Sequence, residues 1–312
     1  MRPIITLEEH FVSRKVAEAS DETRALYGQF PAPILTKLHD LDAIRVKDLD
    51  KGQVSMQVLS HGPAEADAET CTAINNEVAV AIRKHPTRFA GFATLPMEDP
   101  QLAAAELHRS VRDLGFVGAL VDCHLRGRFY DGEQYFALFA KAQELDVPIY
   151  IHPTFASEAM EAHYRGNYPD TVGKALSAFG WGWHAETGLH ILRLFAAGLF
   201  DRLPKVKIVI GHMGEMLPFQ LDRIDTRTET GVEGNIWVTT SGMFTIPPLR
   251  CLLDTTPIEH ILYSVDYPFS ANEKGFDFLK LIEEKEFMST EQLDLFTYRN
   301  AEVLLGVKAT YQ

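Results

Sequence analysis

The 312-residue chain is 46% hydrophobic, 23% charged and 10% aromatic, which excludes a disordered segment and a disulfide-stapled mini-protein. Forty-three acidic residues against thirty Lys plus Arg give a formal net charge of -13, and no basic block is present to track a nucleic-acid backbone. An anionic substrate would therefore need local positive charge at its site, most simply a metal ion.

Apolar, β-branched runs predict strands at 4–8, 54–60, 89–95, 117–121, 147–151, 206–210, 235–239 and 259–264. Helical patterns fill the intervals at 34–50, 69–85, 100–113, 132–145, 184–200, 214–229, 246–254 and 273–286, with a last one at 289–304. Segment 100–113 is the clearest: Pro100 opens it, Leu102, Ala105, Leu107 and Val111 form a partial apolar stripe, and Gly115 closes it. Eight near-continuous apolar strands with helical crossovers predict a TIM-type (β/α)8 barrel in a single α/β domain spanning 1–312. An open doubly wound sheet is the weaker reading, because no glycine-rich dinucleotide or Walker loop follows an early strand. Two insertions stand out, at 11–33 after the first strand and at 153–183 after the fifth. The second carries Tyr164, Tyr168, Phe179, Trp181 and Trp183, an aromatic set suited to roofing a pocket at the barrel mouth.

Cys71, Cys123 and Cys251 are dispersed and fall in no paired metal-ligand spacing, so they read as reduced thiols of a cytoplasmic protein. Glu8 and Glu9 interrupt the N-terminus before an apolar stretch of signal length develops. No later run approaches the roughly 18 apolar residues of a membrane span, so no membrane partner is expected.

Barrel chemistry sits at the C-terminal strand ends. Strand one ends in Glu8-Glu9-His10, strand five in His152, strand six in His212-Met213-Gly214-Glu215 and strand eight in Asp266. Glu8 and His10, two apart, leave an extended strand on one face, with Glu9 pointing away. Together with His152 and Asp266 they make two nitrogen and two oxygen ligands for Zn2+, Mn2+ or a similar divalent ion, with room for water or substrate. His212 and Glu215, three apart at a predicted helix start, could form a carboxylate-held imidazole for proton transfer. Alone, that spacing equally fits an acidic residue favoured by a helix N-terminus. His61, in LSHGP, is a pocket candidate or a structural loop histidine. Arg223, in LDRID, reads as an external salt-bridge residue, and His190 as a packing residue on a helix. No Gly-x-Ser-x-Gly elbow is present.

Taken together, LEEHF, DLGFVGALV, LDVPIYIHP, the AET-x-x-H-x-LRL helix, VIGHMGE-x-LP followed by RID, and YSVDYPF resemble the amidohydrolase-related (amidohydrolase 2) metal-dependent decarboxylases, particularly those of the gamma-resorcylate (2,6-dihydroxybenzoate) type. The likeness covers about residues 4–10 and 86–305. It implies a (β/α)8 barrel with one divalent metal, Zn2+ or Mn2+ in preference to Mg2+, on Glu8, His10, His152 and Asp266, and no organic cofactor. It also implies an ortho-hydroxylated aromatic acid as substrate, losing CO2 to leave a phenol, and assembly as a homodimer or homotetramer. Asp266 would serve as acid, His212 oriented by Glu215 would polarise the phenol, and Phe269 and the aromatic insertion, Trp181 included, would wall the ring. Arg223 matches the family arginine that can reach a neighbouring subunit's site.

The chain departs from the gamma-resorcylate pattern at His61-Gly62, at Thr226, at Tyr267 in place of Trp, and across 153–183, where substrate choice is expected to be set. The same ligands would also serve a metal-dependent hydrolase or hydratase acting on a lactone, amide or unsaturated acid, in which the ion activates water. A non-catalytic binding protein on the same barrel is a third reading, discriminated by failure to bind metal or to turn over any candidate.

Overall fold

The structure, a computed structural model, describes residues 2–19, 27–228 and 234–310. Eight strands are found among these residues: β1 (Ile5–Phe11), β2 (Met56–His61), β3 (Phe89–Gly91), β4 (Ala119–Asp122), β5 (Pro148–His152), β6 (Lys207–Ile210), β7 (Ile236–Thr239) and β8 (Ile261–Leu262). Each lies within or beside its predicted run. All pairings are parallel and follow chain order, β1-β2-β3 and β4 through β8. Two parallel bridges, Ala93 with Ala119 and Glu9 with Tyr267, join the two sheets at both seams. The ring of eight is thereby closed, as parallel strands with helical crossovers require if no edge is to stay bare.

The strands separate two apolar layers. Inside the ring, Ile5, Leu7, Val58, Phe92, Leu120, Tyr150, Val209 and Leu262 pack together, and Tyr298, Ala301, Leu304 and Leu305 of the C-terminal helical segment join the same cluster. Outside it, Ile149, Ile151, Ile208 and Ile210 meet Leu107, Leu138, Phe139, Ile191 and Leu194 of the surrounding helices. The alternation along β5 and β6 sends one residue to each layer in turn. A buried leucine in such a layer is worth about 2–5 kcal/mol against alanine.

Helix Pro100–Leu114 follows its sequence signals closely: Asp99 caps the N–H groups of Gln101 and Leu102, and Gly115 ends it at φ 74°. Other expectations need correction. The helix predicted over 34–50 is two, Ala32–Leu38 and Ala43–Lys51, and the Asp40 carboxylate accepts from the N–H groups of Asp42 and Arg45 at the second start. The 184–200 segment breaks at Gly198, φ 73°. The predicted 289–304 helix contains a π-helical turn, Leu295–Arg299. Within the insertion at 153–183 lie two short helices, Glu158–Glu161 and Asp170–Ser177. The insertion expected at 11–33 begins as strand at Phe11 and continues as helix Arg14–Ala19; its residues 20–26 lie outside the described residues.

Candidate metal centre

Ile5 and Leu7 face the barrel interior, and unbroken two-residue alternation from them would turn Glu9 inward. The register of β1 against β2 slips between Thr6 and Glu9. Beyond that bulge-type irregularity Glu8 and His10 face the axis. Glu9 lies on the outer side, fully buried, where its carboxylate accepts from Ser264 Oγ (3.0 Å), the N–H groups of Val265 and Tyr267 (3.0 Å each) and Gln57 Nε2 (3.1 Å). Burial pushes Glu9 up to about 7 despite the opposing hydrogen bonds from Val265, Tyr267 and Ser264. Glu9 thus fastens the residues flanking Asp266, whose backbone sits at φ 67°. Behind it, the buried Arg45 guanidinium donates to Gln57 Oε1 (3.1 Å) and the His10 carbonyl (2.6 Å) and lies 4.7 Å from the Tyr267 ring centre. Sequence reading missed Arg45, because an arginine in a polar helical stretch carries no sign of burial.

Glu8, His10 and His152 converge at the strand ends. Glu8 Oε1 is 3.2 Å from His152 Nε2 and 3.9 Å from His10 Nε2, while His10 Nε2 is 3.4 Å from Asp266 Oδ1. Donors about 2.0–2.2 Å from a tetrahedral ion stand about 3.3–3.6 Å apart, so the 3.2 and 3.4 Å gaps lie close to that spacing and the 3.9 Å gap is somewhat wider. Glu8 Oε1 and His10 Nε2 are buried and make no hydrogen bond among the described residues, which an apolar interior tolerates poorly unless a cation meets them. The residues therefore fit the expected metal. Glu8 Oε2 accepts from the Tyr150 hydroxyl, which also contacts Thr239 Oγ1 at 2.8 Å. A Cβ on Gly211 would stand 2.5 Å from the same oxygen, so only glycine leaves room for the carboxylate. Burial pushes Glu8 upward, but the His212, His10 and His152 imidazoles outweigh it and hold Glu8 well below the ordinary carboxylate range. His10 is driven up to about 9, its burial overcome by Asp266 and Glu8.

His212 Nε2 lies 3.5 Å from Glu8 Oε1, on the same centre. Its Nδ1 is 2.7 Å from Glu215 Oε1, the contact anticipated from the spacing, although the backbone differs from the expected helix start. His212, Met213, Glu215 and Met216 all have φ between 47° and 67°, with Gly214 at 90°, so the pair sits on a left-handed turn ahead of helix Leu217–Thr228. Left-handed residues other than glycine cost about 1–2 kcal/mol each, a strain borne at the site. Gly214 is needed here, since a Cβ would come within 2.6 Å of Pro218 Cγ. Burial lowers His212, but Glu215 and Glu8 reverse this and raise it to about 10. Glu215 also receives His184, Nδ1 to Oε2 at 2.7 Å, a residue sequence reading passed over. Its only signal was a histidine in the first turn of the helix that carries AET.

The other candidates are dispersed over several parts of the fold. Phe269, 40% exposed, lies 5.8 Å from the His10 ring and 5.2 Å from Phe30. Trp181 is 52% exposed at the start of helix Gly182–Ala196, while Trp183 packs against Phe155 and Phe179. His61 lines a cavity of about 410 Å³ with Asp122 and His124, but its Nε2 accepts from Ser13 N–H (3.0 Å) and its Nδ1 donates to the Gly62 carbonyl (2.6 Å). Tyr267 turns its hydroxyl to Asp48, 3.0 Å away, and so faces the barrel exterior. Arg223 borders an apolar groove with Leu189, Leu192, Phe195, Met216 and Leu217. The side chain of Thr226 lies outside those described. The three cysteines are free thiols, Cys71 and Cys123 buried.

A family model described as amidohydrolase matches residues 26–307. The chain belongs to that family. It is 47% identical to decarboxylase orsB of Emericella nidulans, over 98% of this chain and 97% of that protein. It is 34% identical to gamma-resorcylate decarboxylase of Polaromonas sp., over 88% of this chain and 91% of the relative. A crystal structure of dihydroxybenzoic acid decarboxylase from Polaromonas sp., with bound manganese and the inhibitor 2-nitroresorcinol, superposes with a TM-score of 0.84 at 32% identity, covering 98% of this chain and 97% of the other. No helix among the described residues is long and apolar enough to cross a membrane.

Proposed function

We propose that this amidohydrolase-family chain is a divalent-metal-dependent, non-oxidative decarboxylase of an ortho-hydroxylated aromatic carboxylic acid, releasing CO2 and a phenol. The observation that carries the reading is the convergence of Glu8, His10, His152 and Asp266 with a carboxylate-held imidazole, in a chain alike over nearly its whole length to a decarboxylase. Its relatives support the carboxy-lyase class, and the donor set suits Zn2+ or Mn2+, with no organic cofactor needed.

Glu8, His10, His152 and Asp266 would hold the ion, which would supply local positive charge for an anionic substrate in a chain of net charge -13. A cation on Glu8 would offset one of the charges that raise His212, and the neutral ring, its Nδ1–H committed to Glu215, presents Nε2 as the acceptor for the ortho hydroxyl proton. Asp266, its side chain 19% exposed and 3.4 Å from His10 Nε2, delivers a proton to the ring carbon bearing the carboxylate. A C–H bond forms, the bond to the carboxylate breaks, and its electron pair returns to the ring as CO2 leaves. His212 returns its proton to the ring oxygen, which leaves the phenol, and Asp266 regains its own from solvent. Phe269 and Trp181 wall the ring, with His61 contributing an apolar edge because its ring nitrogens serve Ser13 and Gly62. Arg223 and the groove it lines, with Leu189 at 44% and Met216 at 37% exposure, support a homo-oligomer in which the arginine serves a neighbouring subunit.

The test is CO2 release and product mass from metal-analysed protein with a panel of ortho-hydroxybenzoates, beside an Asp266→Asn control. Metal-dependent release lost in the variant supports the proposal. No release from fully metallated protein across the panel moves the assignment to a hydrolase or hydratase.

A further inference from the structure

Glu215 is 1% exposed, and both of its oxygens are engaged by imidazoles: Oε1 by His212 Nδ1 and Oε2 by His184 Nδ1, each at 2.7 Å. The His212 and His184 rings meet edge to face with centroids 5.0 Å apart. An ionised carboxylate only accepts hydrogen bonds, so both Nδ1 atoms carry hydrogen. For neutral His212 this leaves Nε2 bare, and Nε2 is the atom 3.5 Å from Glu8 Oε1 at the metal centre. The tautomer that faces the reacting site is thus set by Glu215, and the attitude of Glu215 is set from its far side by His184.

The clamp is built on packed structure. His184 lies in the first turn of helix Gly182–Ala196, and Gly188 of that helix approaches the Glu215 carbonyl so closely that a Cβ would stand 2.8 Å from it. Trp183, the preceding residue, is held edge-on by Phe155 and Phe179. His184, His212 and Glu215 also have the composition of a cation site. Both Nδ1 atoms, however, are spent on the carboxylate at hydrogen-bond distance, which favours a positioning device over a second ion.

We infer that His184 is a positioning residue, clamping Glu215 from behind so that His212 keeps Nδ1–H toward Glu215 and a bare Nε2 toward the substrate. The inference rests on the reading of His212 as the group that meets the substrate hydroxyl. Two variants separate clamp from filler: His184→Asn keeps an N–H near the Nδ1 position, and His184→Leu removes it at similar volume. In the metal-loaded enzyme, His184→Leu is expected to lower kcat by about 10–100-fold, the usual scale for losing a partner that orients a working group, with KM within about threefold. His184→Asn restores most of that loss. Independently of any substrate, nitrogen-15 NMR of the metal-loaded protein should show one His212 tautomer in wild type and His184→Asn and a mixture in His184→Leu. Should the leucine variant fail to fold, His184→Gln, whose amide nitrogen falls near Nε2 instead, takes its place. Equal losses in the donor-keeping and donor-lacking variants, an unchanged His212 tautomer without the donor, or a second metal equivalent lost with His184 would overturn the inference. If no substrate turns over, the tautomer measurement still decides it, separately from the proposed reaction.

Discussion

Tyr150→Phe deletes one hydroxyl from the barrel axis and leaves its ring in place between Phe92 and the other interior side chains. That hydroxyl donates to Glu8 Oε2, the oxygen turned away from His152 and His212, and so fixes which oxygen faces the metal centre. Thr239 and Ser241 are hydrogen bonded to each other at 2.6 Å, so they keep a partner when the phenol is gone. The loss therefore concentrates on Glu8, a fully buried carboxylate. A hydrogen bond to a buried charge contributes about 1.5–3 kcal/mol. At about 1.4 kcal/mol per tenfold, the variant should bind Zn2+ or Mn2+ about 10–100-fold more weakly. Titration of metal-stripped protein against a competing chelator reads this directly, with the melting temperature of the metal-free variant as a control for folding. An affinity within threefold of wild type, in a variant that melts normally, would refute the claim that Tyr150 orients Glu8.

Three further outcomes follow from the same geometry. His10 must be neutral to ligate, and the folded chain raises it to about 9, so metal binding near neutral pH should release protons and the affinity should climb with pH until about 9; a flat profile from pH 6 to 9 would count against His10 as a ligand. His212 is raised from the ordinary 6.5 to about 10, so in metal-free protein its contribution to stability is full below about 6.5 and is lost as pH rises through about 10. Urea midpoints at pH 6, 8 and 10 should therefore bring wild type and His212→Asn together at the alkaline end, and a gap independent of pH would contradict this. Gly214→Ala places a Cβ at φ 90° and 2.6 Å from Pro218 Cγ, and should cost about 1–3 kcal/mol in denaturant titration; a neutral effect would mean that the left-handed turn relaxes freely.

The barrel was legible because its signal is periodic: eight apolar runs with helices between them have few other ways to cover both faces of a parallel sheet. The candidate ligands were legible because barrel chemistry gathers near strand ends: Glu8 and His10 lie in the last half of β1, His152 closes β5, and Asp266 follows β8 by four residues. Their approach was reached by a simpler route than the molecule uses, since the slip in β1 is what turns Glu8 and His10 inward once Leu7 has faced the core. The His212–Glu215 contact was read from helical spacing, yet it forms on a left-handed turn, where three-residue spacing also brings side chains together. Arg45, Gln57 and Glu9 were opaque because burial of polar residues is a property of packing and leaves no periodic trace. The same holds for His184, whose partner lies 31 positions away. His61 and Tyr267 show the converse: both stand out in the sequence motifs, yet their polar atoms face Ser13, Gly62 and Asp48 rather than the metal centre.

The most direct test of the central claim is to run the reaction in D2O with metal-loaded protein and an ortho-hydroxybenzoate, following CO2 and the isotopic composition of the phenol together. The account predicts one CO2 per phenol and one deuterium at the ring carbon that bore the carboxylate, with both lost in Asp266→Asn at full metal occupancy. A product that has gained the elements of water and kept its carboxylate would contradict it.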